Sequence, residues 1–170
     1  FATENLGPPN FLLGHSLGGA ASMAAASLWP ADLAPLSGLA TLAAPSDTSH
    51  LASLLILMDS RVETEGRGQV TIGGRTWDTT PQLIQNLRTY DLPSRISRLK
   101  LPMMLFHSPV DETVGYENAI RIMSLASESE TSLITLPGAD HLLVTNNHDI
   151  TYVARILSAW IHRLGLQKET

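Results

Sequence analysis

The sequence feature that most constrains the fold is a glycine-flanked turn between an apolar run and an alanine-rich run. The apolar run, Phe11–Leu13, follows turn-like residues at 7–10. Residues 17–28 are rich in alanine and other small residues, which predicts a helix with short side chains. Together the two runs predict a buried strand that turns directly into a helix, as in a parallel sheet covered by helices.

The rest of the chain repeats this alternation of strand and helix. Further strands are predicted within 36–44, 101–106 and 131–136, and helices within 49–58, 81–90, 115–127 and, from a three- and four-residue apolar spacing, 150–164. Alternating apolar residues around glycines at 61–79 predict a β-hairpin. We therefore expect a single α/β domain over 1–170. It has a parallel sheet of about four strands, helices on both faces and a hairpin excursion at 61–79.

Composition excludes several classes of function. The 170 residues include no cysteine, so disulfides, thiolate zinc sites and cysteine nucleophiles are absent, which fits a cytoplasmic protein. The formal net charge is −5 and no basic run is present, so we expect no binding to nucleic acid. Apolar runs are shorter than the roughly 20 residues of a membrane helix, so no membrane association is expected.

The turn at 14–18 reads Gly-His-Ser-Leu-Gly, which is the G-x-S-x-G pattern in the strand-turn-helix context of a nucleophile elbow. Such a turn would project the Ser16 hydroxyl above the sheet. Gly14 and Gly18 are expected where side chains would clash between strand and helix. The Leu17 amide, at the helix N-terminus, is expected to face a developing oxyanion. By strand alternation His15 is expected to point away, as a packed residue of the elbow.

A serine nucleophile needs a base, and the base needs an orienting acid. Asp111 follows the strand within 101–106 and His141 follows the strand within 131–136, so the order is serine, acid, histidine. Asp111 has an alternative role as a helix N-cap. Asp47 is the rival acid, with its own alternative as a turn or cap residue. Asp140 is expected to be solvated or bonded to the loop backbone. The other histidines are interpreted as structural, surface or cap residues, namely His50, His107, His148 and His162.

The sequence resembles the α/β-hydrolase family, most closely the hydrolase half of bacterial α/β-hydrolase/OsmC-type fusion proteins. The likeness covers nearly the whole chain and is carried by Gly14–Ala21, Ala44–Asp47, Ile72–Arg75, Leu87–Pro93, His107–Glu117 and Ala139–Leu143. The resemblance implies that Ser16 is the nucleophile, Asp111 the orienting acid and His141 the base. A serine hydrolase that works through these residues needs no metal or organic cofactor.

The chain departs from the family pattern at its beginning. Family members have further strands and helices before the elbow, including the loop that supplies a second oxyanion-hole amide. We therefore expect a fold that lacks its N-terminal part, with Phe11–Leu13 as an exposed sheet edge. A fragment of a longer product, a truncated protein and one half of a two-chain enzyme are the three explanations. The exposed edge favours a homodimer.

Two functions follow from these patterns. The first is a serine hydrolase acting on a small ester, thioester or amide, with a small acyl compound as its substrate. The second is a catalytically inactive, truncated hydrolase remnant that serves as a binding or oligomeric assembly module. Cooperation with a second chain, such as a separate OsmC-type protein, is a third and weaker hypothesis. The hairpin at 61–79 is a candidate cover for the substrate pocket.

Overall fold

The computed structural model describes residues 7–72 and 74–166. Within these ranges the chain divides into two compact units, one of residues 7–46 with 92–166 and one within Asp47–Asp91. In chain order the elements are β1 (Phe11–His15), α1 (Leu17–Ser27), β2 (Gly38–Leu42), α2 (Ser49–Met58), α3 (Arg61–Thr64), β3 (Gly68–Ile72), β4 (Arg75–Thr79), α4 (Pro81–Thr89), α5 (Leu92–Ile96), β5 (Met103–His107), α6 (Glu117–Leu125), β6 (Thr131–Thr135) and α7 (Asn147–Leu166).

The first unit is built on a parallel four-stranded sheet in the order β1-β2-β5-β6. Every residue of β2 and β5 is buried, as expected for central strands covered on both faces. Alternate residues serve opposite faces. Leu39 and Leu105 belong to a core cluster with residues of α1, α5 and α6. Ala40 and Phe106 belong to a second cluster with residues of α7. The predicted parallel sheet with helices on both faces is confirmed.

β1 forms one edge of this sheet, because its only strand partner among the described residues is β2. The homodimer predicted through this edge stays a prediction. Within residues 7–72 and 74–166, none of the helices combines the length and the apolar character that spanning a membrane requires.

The second unit packs α2, α3 and α4 around its own small core of Ala52, Val62, Ile84 and Leu87. The predicted hairpin is confirmed at 68–79, where β3 and β4 pair in antiparallel register. Residues 61–64 form the short helix α3 instead, with Val62 fully buried. Gly73, of the predicted Gly73-Gly74 turn, lies outside the described residues.

Asp59 fixes the turn before α3. Its carboxylate accepts hydrogen bonds from the backbone N–H and the guanidinium of Arg61 and from the N–H of Gln69. The Arg61 guanidinium is the main reason that the pKa of Asp59 lies well below its usual range. This local pairing favours a helical turn where the alternation of apolar residues alone predicts a strand.

Replacing Thr80 with alanine is expected to destabilise the second unit by about 1 kcal/mol. The Thr80 hydroxyl oxygen accepts a hydrogen bond of 3.2 Å from the Leu83 N–H, and Pro81 occupies the first position of α4. Alanine leaves that N–H without its cap. Urea denaturation followed by circular dichroism would measure the difference. Thr80→Ser keeps the acceptor and is the control, and equal stability of the alanine variant would contradict the capping role.

Candidate active site

Ser16 occupies a sharp turn between β1 and α1. Its φ and ψ are 54° and −126°, in a region that residues other than glycine rarely adopt. The Ser16 N–H donates to the Leu42 carbonyl at 2.8 Å, which extends the β1–β2 ladder by one bond. Its own carbonyl accepts from the N–H of Gly19 at 2.9 Å, in the first turn of α1. The strand and the helix together hold the unfavourable backbone conformation.

Two glycines allow the strand and the helix to approach each other at this turn. A Cβ on Gly14 would meet the carbonyl oxygen of Gly18 and lie 2.6 Å from the Cα of Gly19. A Cβ on Gly19 would lie 2.5 Å from the Cβ of Ala44, which follows β2. A Cβ on Gly18 would have no neighbour within 4 Å. The steric role predicted for Gly18 is therefore wrong, and Gly19 has that role instead.

His141 lies between Ser16 and Asp111 and hydrogen-bonds to both. Its Nδ1 is 2.7 Å from Oδ2 of Asp111, and its Nε2 is 3.0 Å from Oγ of Ser16. A carboxylate only accepts, so the Nδ1 nitrogen carries the proton. The Nε2 nitrogen of the neutral ring is then an acceptor for the Ser16 hydroxyl. The structure thus brings together the three residues that the sequence analysis singled out.

The Asp111 carboxylate is almost completely buried, with 1% of its side chain exposed. Its Oδ1 atom accepts hydrogen bonds of 2.9 Å from the N–H groups of Thr113 and Val114, which leaves Oδ2 for His141. Asp111 does not cap the next helix, because α6 begins at Glu117 with Tyr116 at the N-cap position. The buried carboxylate is instead fixed by its own loop and directed at the imidazole.

His107, at the end of β5, hydrogen-bonds to the loop that carries Asp111. It is buried, and its Nε2–H donates to the Val114 carbonyl at 2.7 Å. The same nitrogen lies 3.8 Å from Oδ2 of Asp111. The contact with Val114 agrees with the structural role expected of His107.

Strand alternation predicts that His15 points away from the site, and this prediction is wrong. Its Nε2 lies 2.8 Å from the main-chain carbonyl oxygen of His141, and the two imidazole rings are 5.0 Å apart between centroids. Alternation fails here because His15 is the last residue of β1, directly before the turn at Ser16.

The rival acid, Asp47, is engaged within its own unit. Its Oδ1 accepts hydrogen bonds from the N–H of Ser49 at 2.8 Å and from the Ser49 hydroxyl at 2.6 Å. The carboxylate that binds His141 is that of Asp111. These contacts agree with the turn or cap role that was the alternative for Asp47.

Leu17 is the first residue of α1, so its N–H belongs to the end of the helix that lacks acceptors within the helix. A cluster of three or more histidine, cysteine, aspartate or glutamate side chains suited to a metal ion does not occur within 7–72 and 74–166. The site places the Ser16 hydroxyl within hydrogen-bond distance of a histidine-carboxylate pair and beside a helix N-terminus, an arrangement that can activate a hydroxyl as a nucleophile.

The structure is similar to the crystal structure of the esterase domain of a Rhodothermus marinus protein. The TM-score is 0.75 and the sequence identity 33%, over 96% of this chain and 65% of that one. Est1E from Butyrivibrio proteoclasticus is similar with a TM-score of 0.70 and 20% identity, over 91% of this chain and 60% of that one. No protein-family model and no curated protein matches the chain.

The mouse α/β-hydrolase domain-containing protein 10 is also similar, with a TM-score of 0.65 and 17% identity, over 96% of this chain and 66% of that one. The chain spans 65% and 60% of the lengths of the Rhodothermus and Butyrivibrio proteins. The described sheet and its helices thus form part of an α/β-hydrolase fold.

Proposed function

We propose that this chain, which has part of an α/β-hydrolase fold, acts as a serine hydrolase on a small ester, thioester or amide. The observation that carries the proposal is the pair of hydrogen bonds that links the Ser16 hydroxyl to His141 and His141 to the buried Asp111 carboxylate. The similarity to a protein described as an esterase domain, at 33% identity, supports it. Of the three substrate classes, the description of that neighbour as an esterase domain favours an ester.

In the proposed reaction, Ser16 Oγ attacks the carbonyl carbon of the substrate while His141 Nε2 takes the hydroxyl proton. The resulting imidazolium keeps its Nδ1–H on Asp111, whose negative charge stabilises it. The tetrahedral intermediate expels the alcohol, thiol or amine, which receives the proton from Nε2. Water, deprotonated by the same nitrogen, then attacks the acyl-serine and releases the acid and the free enzyme.

The Leu17 N–H is the proposed donor to the oxyanion. It lies one residue after the nucleophile, at the N-terminus of α1, where peptide dipoles and unpaired N–H groups favour negative charge. Exposed apolar side chains occur directly after the nucleophile and the base, at Leu17 and Leu142. They support an apolar acyl group in preference to a charged one.

Treatment with a fluorophosphonate probe tests this function, since the probe labels serine only where the base activates it. We expect intact-mass analysis to show one adduct on the wild-type chain and none on Ser16→Ala. Ser22→Ala is the matched control, because Ser22 lies on the same helix with its hydroxyl bonded to the Gly18 carbonyl. That variant should be labelled as the wild type is.

A folded wild-type chain without an adduct would contradict the proposed hydrolase. Circular dichroism on the same sample would establish that it is folded. That result would favour the alternative function, a binding or assembly module built on an inactive hydrolase remnant.

A further inference from the structure

The loop after β6 has to reach across the sheet. His141 follows β6 and Ser16 follows β1, and two strands, β2 and β5, lie between them. At about 4.8 Å per strand, the ends of β1 and β6 are roughly 14 Å apart. His141 reaches Ser16 because its loop runs from the end of β6 over the ends of the central strands. Something must therefore hold the main chain of that loop.

Burial alone does not hold it. Ala139 and Leu143 are the buried apolar residues on either side of His141 in this loop, whereas Leu142 and Val144 are 42% and 67% exposed. Leu143 also adopts a φ of 56°, a left-handed conformation that costs a residue other than glycine about 1 kcal/mol or more. The loop thus has a strained backbone and few apolar contacts at its outer residues.

The Asp140 carboxylate accepts hydrogen bonds from three backbone N–H groups of this loop. Its Oδ1 accepts from Val144 at 3.0 Å and from Thr145 at 2.8 Å, and its Oδ2 accepts from Leu142 at 3.1 Å. The bond from the Thr145 N–H is the largest reason that the pKa of Asp140 lies below its usual value, so the group is an anion at neutral pH. The carboxylate therefore fixes the turn on the C-terminal side of His141.

His15 holds the same residue from the other side. Its Nε2–H donates to the His141 carbonyl at 2.8 Å, and His15 precedes Ser16 on β1. The strand that carries the serine thus bonds directly to the main chain of the histidine.

We propose that His15 and Asp140 are positioning residues that fix the main chain of His141 from two sides and so set the distance between its Nε2 and the Ser16 hydroxyl. The inference rests on the proposed hydrolase function. Neither residue touches the reacting atoms. Displacement of a catalytic group by about 1 Å is enough to cost roughly 100-fold in rate.

The test uses His15→Phe, which keeps a ring without the donor, and Asp140→Ala. We expect each to slow fluorophosphonate labelling and ester turnover by about 10- to 100-fold, with KM changed by less than about threefold. His15→Gln retains a donor and Asp140→Asn retains an acceptor, so both should recover most of the rate. Asp149→Ala removes a carboxylate bonded to the side chain of Asn146, and is the matched control expected to behave as wild type.

A second readout does not depend on catalysis. The Nδ1 proton of His141, held on Asp111, should give a low-field proton resonance that broadens or disappears in His15→Phe and Asp140→Ala. Failure of the hydrolase proposal would show as no labelling of the wild type, while the resonance would still report on the positioning of His141. Rates and resonance equal to wild type in both variants would overturn the proposal. A loss that the conservative variants do not restore and that follows the melting temperature would overturn it as well.

Discussion

Replacing His141 with alanine is expected to lower the turnover of a small ester by about 10⁴-fold or more, because the serine loses the base that accepts its proton. Nε2 of His141 is the acceptor at 3.0 Å from Ser16 Oγ. Initial rates with a nitrophenyl ester of a short acyl chain would measure the loss. His148→Ala removes an exposed histidine and is the control that should retain wild-type turnover.

A loss of turnover is also expected when the orienting acid is replaced, and this distinguishes Asp111 from the rival acid Asp47. Asp111→Asn would place an amide beside His141 Nδ1, favour the tautomer with its proton on Nε2 and lower the rate by about 10⁴-fold. Asp47→Asn removes the same charge from the rival acid and should leave the rate nearly unchanged. Equal losses in the two variants, or turnover retained in His141→Ala, would contradict the assigned roles.

Replacing Gly14 with alanine is expected to destabilise the fold by about 3 kcal/mol or more, since the new methyl group would meet backbone atoms that cannot rotate away. It would lie 2.5 Å from the carbonyl carbon of Gly18 and 2.6 Å from the Cα of Gly19. The helix α1 would have to move off β1. Thermal and urea unfolding, followed by circular dichroism, would measure the effect.

Gly18→Ala is the matched control for this prediction. It adds the same methyl group four residues further along, inside the G-x-S-x-G pattern, where no atom beyond the neighbouring residues and the backbone of α1 lies within 4 Å. Since alanine favours a helix over glycine by up to about 1 kcal/mol, this variant should be as stable as wild type or slightly more stable. Similar losses of stability in both variants would contradict the steric explanation, in which Gly14 is required by the close approach of β1 and α1.

The sequence predicts the parts of this fold that depend on local pattern. The four parallel strands were identifiable from their apolar runs, and the helix α7 from its apolar spacing. Two short helices, α3 and α5, were not predicted, because each is too short to show a helical period. The Asp59 contacts that favour α3 are visible only in three dimensions.

For the candidate site, the chain order of the three residues and their positions directly after predicted strands were sufficient to predict Ser16, Asp111 and His141. The positions of Gly19 and His15 were not predictable in the same way. Gly19 is required by the approach of Ala44, which follows a different strand, and His15 by the carbonyl of His141. Both contacts join segments that are distant in the chain, and a motif within one segment carries no information about them.

The bonds that define the site join residues 125 and 30 positions apart in the chain. Closing loops of this length has an entropic cost, which the packing of the whole sheet must offset. The proposed activity of Ser16 therefore requires that β1, β2, β5 and β6 are all paired. Local unfolding at either edge of the sheet would separate Ser16 from His141, so we expect fluorophosphonate labelling of Ser16 to report on strand pairing as well as on activity.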